Sequence, residues 1–406
     1  MEFNSNGLKH TKRNILILSS RIPYPLTAGF RIRIYNVAKY FKNDGNNVDL
    51  MFMGNEEEYN RYKDDLHKIF TNIYFIPFSK FAAVRKMAKC LLNKHLPLQV
   101  QLYQNDLFQN KLHEIENHYD LIIGNHIRTS EYLKEIDLQK VILDMHDAIS
   151  YNYLNAIKVT KGIKKIIYQI EYKRVLDYEC NIVSAFPRIV MISDKDREWL
   201  KQHGAKVNHV TLIPVAVRDD IKDTKEDYQK DDNTICFLGK MSYQPNIDAV
   251  LWFAKKVFPV LQKKYKDLKF MILGIEPTQE VLSLTENPNI KVTGFMENPY
   301  EIVAKSKAMV VPILNGAGIQ NKVLESMLIG TPVVASTIAA DGINAKDGEQ
   351  LLIAKNEDEF VKKIDALLGS ESYRQRIGQA GKKYIENHFT WNALWKTWKE
   401  LAEFEE

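Results

Sequence analysis

The chain has 406 residues, 45% of them hydrophobic and 26% charged, which is enough for two ordinary domains and too balanced for a disordered or fibrous protein. No window approaches the ~20 unbroken apolar residues of a membrane span. The polar start and the short apolar run 15–18 make no signal peptide, so a cytoplasmic protein is expected. The cysteines, Cys90, Cys180 and Cys236, are odd in number and form no Cys-x-x-Cys pair, which suits a reducing compartment and core packing.

The net charge of +5 hides an asymmetry. Residues 1–218 hold 32 Lys and Arg against 23 Asp and Glu, and the remainder 24 against 28, so the two parts carry 32 − 23 = +9 and 24 − 28 = −4. A basic first part favours an anionic partner, such as a lipid surface or a phosphorylated acceptor. Nucleic acid is not expected, because the lysines are scattered among carboxylates and no nucleic-acid-binding motif accompanies them.

Along the chain, short aliphatic and β-branched runs alternate with helical stretches, the pattern of parallel sheets covered by helices. Strands are predicted over 14–19, 48–53, 72–77, 120–124, 140–145, 188–192 and 210–215, forming one Rossmann-like domain. The polar stretch 219–233 (DDIKDTKEDYQKDDN) has no apolar periodicity and reads as a linker. A second series, 234–238, 269–273, 290–293, 308–313, 332–335 and 350–353, makes a second sheet of the same type. The expected organisation is a first Rossmann-like domain over 1–218, a second over 219–388, and a helix over 389–406.

In two places, 81–96 and 161–176, apolar residues mix with clustered Lys and Arg at helical spacing. Each is either a face lying on a membrane or a solvated helix face with lysine stems over apolar neighbours. At the end of the chain Trp391, Leu394, Trp395, Trp398 and Leu401 recur at helical spacing. That aromatic face suits packing on the first domain better than a membrane, since Glu400, Glu403, Glu405 and Glu406 would be repelled by anionic lipid.

Ligands of doubly wound sheets bind where strands end and helices begin. One such loop is RIPYPLTAG, where Gly29 lets a ligand approach the backbone and a helix starting near Phe30 carries Arg31 and Arg33; a plain proline-rich turn is the competing reading. The other is PILNGAGIQNKVLESM, where glycines free the backbone before a helix whose first amides can hold diphosphate oxygens. Lys322 and Glu325, three apart, share a face of that helix.

The run GAGIQNKVLESMLIGTPVVAS resembles the donor-binding signature of the retaining glycosyltransferase family that includes sucrose synthase and bacterial glycogen synthase (group 1, GT-4-like). The Gly29 loop, FLGKM at 237–241, ILG at 272–274, VTGF at 292–295 and FTW at 389–391 extend the resemblance over almost the whole chain. It implies an α/β protein of GT-B type, two Rossmann-like domains with parallel sheets facing a central cleft, that moves a sugar from a nucleotide diphosphate donor with retention of configuration. The implied acceptor is a glycan, a lipid-linked precursor or a surface polysaccharide of the cell envelope, handled at the inner face of the membrane.

The resemblance also implies roles for residues. Glu325 matches the second glutamate of the family's Glu-x7-Glu motif, at the nucleotide ribose; the first glutamate's place is held by Ala317, and backbone amides around Gly316, Ala317, Gly318 and Ile319 are the substitutes at the donor. Lys240 stands where the family commonly has Arg, the Lys usual about five residues later is missing near Pro245 and Asn246, and Lys322 is a replacement for its charge. Phe295 lies near the base and Gly29 against the donor. His126 matches a histidine often found at the catalytic centre, with His146 competing. Arg33, Asp144 and Asp147 fall on the acceptor side, although either aspartate also suits a helix cap. The Asp-x-Asp at 194–196 reads as a helix start capped by Ser193. No metal and no cofactor beyond the nucleotide sugar are expected. Ala317 keeps a noncatalytic sugar-nucleotide-binding subunit open as an alternative, and a sugar-nucleotide 2-epimerase shares the same fold.

Overall fold

A computed structural model describes residues 12–78, 96–218, 221, 233–315 and 319–403. The chain separates into two compact units, Met1–Val215 together with Trp395–Glu406, and Ala216–Leu394. The amphipathic stretch 81–96 and the linker 219–233 lie almost wholly outside the described residues; in the linker only Ile221 and Asn233 are described.

The first unit contains a seven-stranded sheet built from β1 (Asn14–Ser19), β2 (Asn47–Gly54), β3 (Ile73–Pro77), β4 (Leu121–Asn125), β5 (Val141–His146), β6 (Ile189–Met191) and β7 (Val210–Leu212). Their order is β3-β2-β1-β4-β5-β6-β7 and every pairing is parallel. Leu16, Leu18, Ile122 and Leu143 are fully buried, as expected when helices cover both faces of a parallel sheet. β6 is shorter than the sequence predicts because Ser193 already caps the next helix, its Oγ accepting from the amide of Asp196 at 3.1 Å.

The second unit repeats the plan with β8 (Thr234–Leu238), β9 (Lys269–Leu273), β10 (Ile290–Val292), β11 (Ala308–Val311), β12 (Val333–Ser336) and β13 (Leu352–Ala354). These lie in the order β10-β9-β8-β11-β12-β13, again all parallel. A core of Phe237, Phe253, Phe258, Phe270 and Phe360 fills the space between sheet and helices.

The last helix, Trp391–Ala402, passes into the first unit at Trp395. Trp395 donates from Nε1 to Asp44 Oδ2 (2.9 Å) and packs edge-on against Phe41, ring centroids 4.6 Å apart. Trp398 is fully buried. The open carbonyls at the helix end accept from arginines, Ala402 O from Arg13 (2.8 Å) and Leu401 O from Arg188 (3.2 Å), so cations sit where the helix dipole is negative. Among the described residues no helix is long and apolar enough to cross a membrane.

Trp395→Ala should cost about 3 to 5 kcal/mol of stability through the cavity it leaves. Trp395→Phe, which keeps a ring but loses the bond to Asp44, should cost about 1 kcal/mol from the hydrogen bond. Chemical-denaturation midpoints measure both, and equal midpoints for the alanine variant and wild type would show that the helix contributes nothing.

Candidate functional site

Both sheets reverse their strand order at one place, between β1 and β4 in the first unit and between β8 and β11 in the second. Loops leaving the carboxyl ends of those strands diverge to opposite faces and leave a crevice. The candidate residues concentrate at these two places, one in each unit.

In the first unit β4 ends at Asn125 and His126 follows with φ 73° and ψ 153°. That backbone region is essentially reserved for glycine and costs a residue with a side chain about 1 to 3 kcal/mol. The neighbouring strand has an irregularity between Asp144 and His146, and His146 too has a positive φ of 68°. Two strained histidines on adjacent strand ends bring their rings to 5.6 Å between centroids.

The surroundings of both imidazoles favour the neutral form. Asn125 Nδ2 can only donate, so at 3.0 Å it makes His146 Nε2 an acceptor. Burial lowers the His146 pKa, and the nearby Asp144 offsets this in part. His126 is pushed well below the ordinary histidine range, first by burial and then by His146, Arg128 and Arg21. Its Nδ1 is buried and has no hydrogen-bond partner in the structure. A neutral imidazole with an unused nitrogen can exchange a hydrogen bond or a proton with a hydroxyl.

Arg33 and Asp144, both expected on the acceptor side, meet each other in the folded chain. They are 4% and 2% exposed and form a buried ion pair, Arg33 Nε to Asp144 Oδ2 at 2.6 Å. Arg33 Nη1 also donates to the carbonyls of Ile213 (3.1 Å) and Pro214 (3.3 Å). The pair ties the end of β5 to the chain after β7, and Arg33 Nη2 and Asp144 Oδ1 are left without a hydrogen-bond partner in the structure. Asp147, by contrast, is exposed just beyond His146. Gly29 is the exposed first residue of the helix Gly29–Asn43, and a Cβ added there would meet nothing within 4 Å.

Sequence reasoning missed Arg21 and Arg128 as part of this site. Their guanidinium carbons lie 6.0 and 4.9 Å from the Tyr103 ring centroid, and both act electrostatically on His126. Position was the available signal, because each stands within three residues of the end of a switch-point strand, β1 or β4.

In the second unit, glycines let three loops meet. A Cβ on Gly274 would lie 1.8 Å from the Gly239 carbonyl, and one on Gly239 would lie 2.7 Å from Asn246 Nδ2 and 3.2 Å from Lys322 Nζ. Into this space the helix Asn321–Ile329 sends Lys322 from its first turn. Lys322 Nζ donates to Asn246 Oδ1 at 2.5 Å and lies 4.5 Å from the Phe237 ring centroid. Asn246 in turn donates to the Lys240 carbonyl at 2.9 Å. Burial lowers the Lys322 pKa to about 8, partly offset by Glu325, which is 8% exposed one turn along.

The structure thus brings Lys322 and Glu325 together and sets the Lys240 side chain apart. Lys240 pairs with Glu276 at 2.9 Å, both half exposed, so its charge is largely answered at the surface. The Phe295 ring is 79% exposed after β10. Ile319 is partly buried against the second core, whereas Gly316, Ala317 and Gly318 lie outside the described residues. Among the described residues no group of three or more His, Cys, Asp or Glu side chains is arranged to hold a metal ion.

The chain is similar to several known proteins. The family described as Glycosyl transferases group 1 matches residues 232–370, which lie within the second unit. A 44.6 kDa protein of the cps region of Klebsiella pneumoniae is 26% identical over 369 residues, 86% of this chain and 89% of that protein. The Staphylococcus aureus capsular polysaccharide biosynthesis glycosyltransferase CapM is 24% identical over 229 residues, covering 51% of this chain and 59% of CapM. Among solved structures, Anabaena HepE in complex with UDP and glucose superposes with a TM-score of 0.58 at 13% identity, covering 96% of this chain and 98% of that one.

If strain at His126 is retained for its imidazole, removing the side chain should separate stability from function. His126→Gly should be more stable than His126→Ala by about 1 to 3 kcal/mol, because only glycine relaxes in this region. Both variants lose the same ring, so thermal unfolding of the pair isolates the backbone term. An alanine variant as stable as the glycine one would refute the strain.

Proposed function

We propose that this chain, which belongs to the group 1 glycosyltransferases and has the GT-B fold, moves a hexosyl or related sugar from a nucleotide diphosphate donor onto a glycan or lipid-linked acceptor of a capsule-type surface polysaccharide. The observation that carries the reading is the Lys322 ammonium, held by Asn246 above Gly239 at the first turn of a helix that begins at the switch point. A cation, helix amides and a glycine-lined approach suit a diphosphate. The cps-region relative and CapM support the polysaccharide setting, and the UDP and glucose bound by HepE support a nucleotide sugar as donor.

In this mechanism the donor diphosphate rests on the amino end of the Asn321–Ile329 helix, with Lys322 beside it and Glu325 at the ribose hydroxyls. Phe295 offers its exposed ring to the base, and Lys240 leaves Glu276 to join the phosphates. As the bond from sugar to phosphate stretches, charge grows on the diphosphate, and donors already in place stabilise it without reorganisation. Lys322 and the helix dipole supply this, so no metal is required. On the first unit neutral His126, with Arg21 and Arg128 acting on its ring, is the group that meets an acceptor hydroxyl, and the sugar keeps its anomeric configuration. Ala317, in place of a carboxylate at the donor sugar, favours a second reading, a subunit that binds the nucleotide sugar without transferring it. Slow hydrolysis of the donor by the purified protein would exclude that reading.

Lys322 makes the proposal testable by pH. Its pKa of about 8 in the free protein should rise when a diphosphate adds negative charge beside it. Above that pH the free amine is mostly neutral and the bound one protonated, so binding takes up a proton and affinity falls as pH rises. Calorimetry with UDP near pH about 9, in two buffers of different ionisation enthalpy, should therefore show proton uptake for wild type and none for Lys322→Met. The lost charge-assisted contact should weaken UDP binding by roughly 10- to 100-fold. Unchanged affinity and proton uptake in the variant would remove Lys322 from the donor site.

A further inference from the structure

After β5 the first unit sends out a helical hairpin, Ile149–Val159 followed by Ile163–Ala185. Glu179 Oε1 and Oε2 accept from the amides of Ile149 (2.6 Å) and Ser150 (3.1 Å), so residue 179 of the long helix is level with the start of the short one, just past the carboxyl end of β5. At 1.5 Å per residue, positions 170 to 163 then lie roughly 14 to 24 Å beyond that level along the helix axis. The hairpin is anchored as far as Glu171, whose Oε2 accepts from Leu98 N at 2.7 Å. Val175, Leu176, Ile182 and Val183 are buried in the first core.

The free end has a different surface. Ile163, Ile166, Ile167 and Ile170 are 75, 55, 45 and 51% exposed. Their spacing, i, i+3, i+4 and i+7, puts them in one stripe. Residues 148–170 contain Lys158, Lys161, Lys164 and Lys165 and no carboxylate, and the three lysines other than Lys165 are exposed. A soluble surface does not ordinarily leave four isoleucines contiguous.

We propose that this hairpin tip lies on an anionic lipid bilayer, isoleucines at the acyl boundary and lysines among the headgroups, so that the strand ends carrying His126 and His146 are held beside the membrane. Isoleucines flanked by lysines match the two attractions of an interfacial helix, apolar burial and charge. A second copy of the chain is disfavoured as occupant, because it would bring a like charge of +4 against +4. The inference deepens the transferase reading and rests on it for its meaning: the acceptor is a lipid-linked glycan reached within the bilayer plane.

The experiment uses the full chain with vesicles of phosphatidylcholine, alone or mixed with phosphatidylglycerol. Wild type should sediment with the mixed vesicles, and less as salt rises, because the attraction is screened. Ile166→Glu/Ile170→Glu, at exposed positions that leave the melting temperature unchanged, should reduce binding by about tenfold or more, and Lys161→Gln/Lys164→Gln should do the same through charge. UDP binding and donor hydrolysis in solution should be unaffected by all four substitutions. Equal binding of wild type to both vesicles, or wild-type binding by the variants, overturns the proposal, as does loss of a wild-type dimer or of an acidic protein partner in place of lipid binding. Failure of UDP binding in wild type would instead count against the transferase reading, and the vesicle result would stand apart from it.

Discussion

The buried pair of Arg33 and Asp144 is the interaction on which the first unit's site depends. Through it the helix Gly29–Asn43, the end of β5 and the chain after β7 are tied at one point, with Arg33 also 5.5 Å from the Trp398 ring centroid on the last helix. Two charges out of water are tolerated only when they have each other and further hydrogen bonds. The carbonyls of Ile213 and Pro214 supply them on the arginine side. The strand irregularity comes directly after Asp144, between it and His146, beside the positive φ of His146 and the 5.6 Å approach of the two imidazoles.

The histidines lie next to this pair. A neutral His146 shows its Nε2 to Asn125 and leaves little positive charge beside Asp144, while His126 keeps a buried nitrogen unused. Arg21 and Arg128 approach the same ring and make its protonation harder still. Backbone strain, desolvation and neighbouring cations all act on one imidazole, a convergence that structural histidines rarely need.

The second unit solves a different problem, the placement of a cation close to the backbone. Gly239 and Gly274 remove the side chains that would fill the space, and Asn246 holds the ammonium that enters it. Burial makes this lysine easy to discharge, so its charge responds to what binds nearby. Lys240, on the loop after β8, lies in solvent beside Glu276. Of two lysines that look equivalent along the chain, only one sits in the glycine-lined crevice.

Much of the fold was legible in the sequence because it depends on local rules. Aliphatic runs separated by helical stretches specify parallel sheets, and each predicted strand has a counterpart whose ends differ by a few residues. The capping of the helix after β6 by Ser193 and the common face of Lys322 and Glu325 are short-range as well, set by spacing of three along a helix. What tertiary structure alone decided was where charge ends up. No periodicity shows that Arg33 will meet Asp144, 111 positions away, or that Asn246 will receive Lys322 from 76 positions away, because such pairings arise only when sheets bring distant loops together. Nor does residue type separate a buried lysine from an exposed one or mark His126 as strained. Desolvation and backbone dihedrals belong to the folded surroundings, and the sequence by itself determines only which residues are available to them.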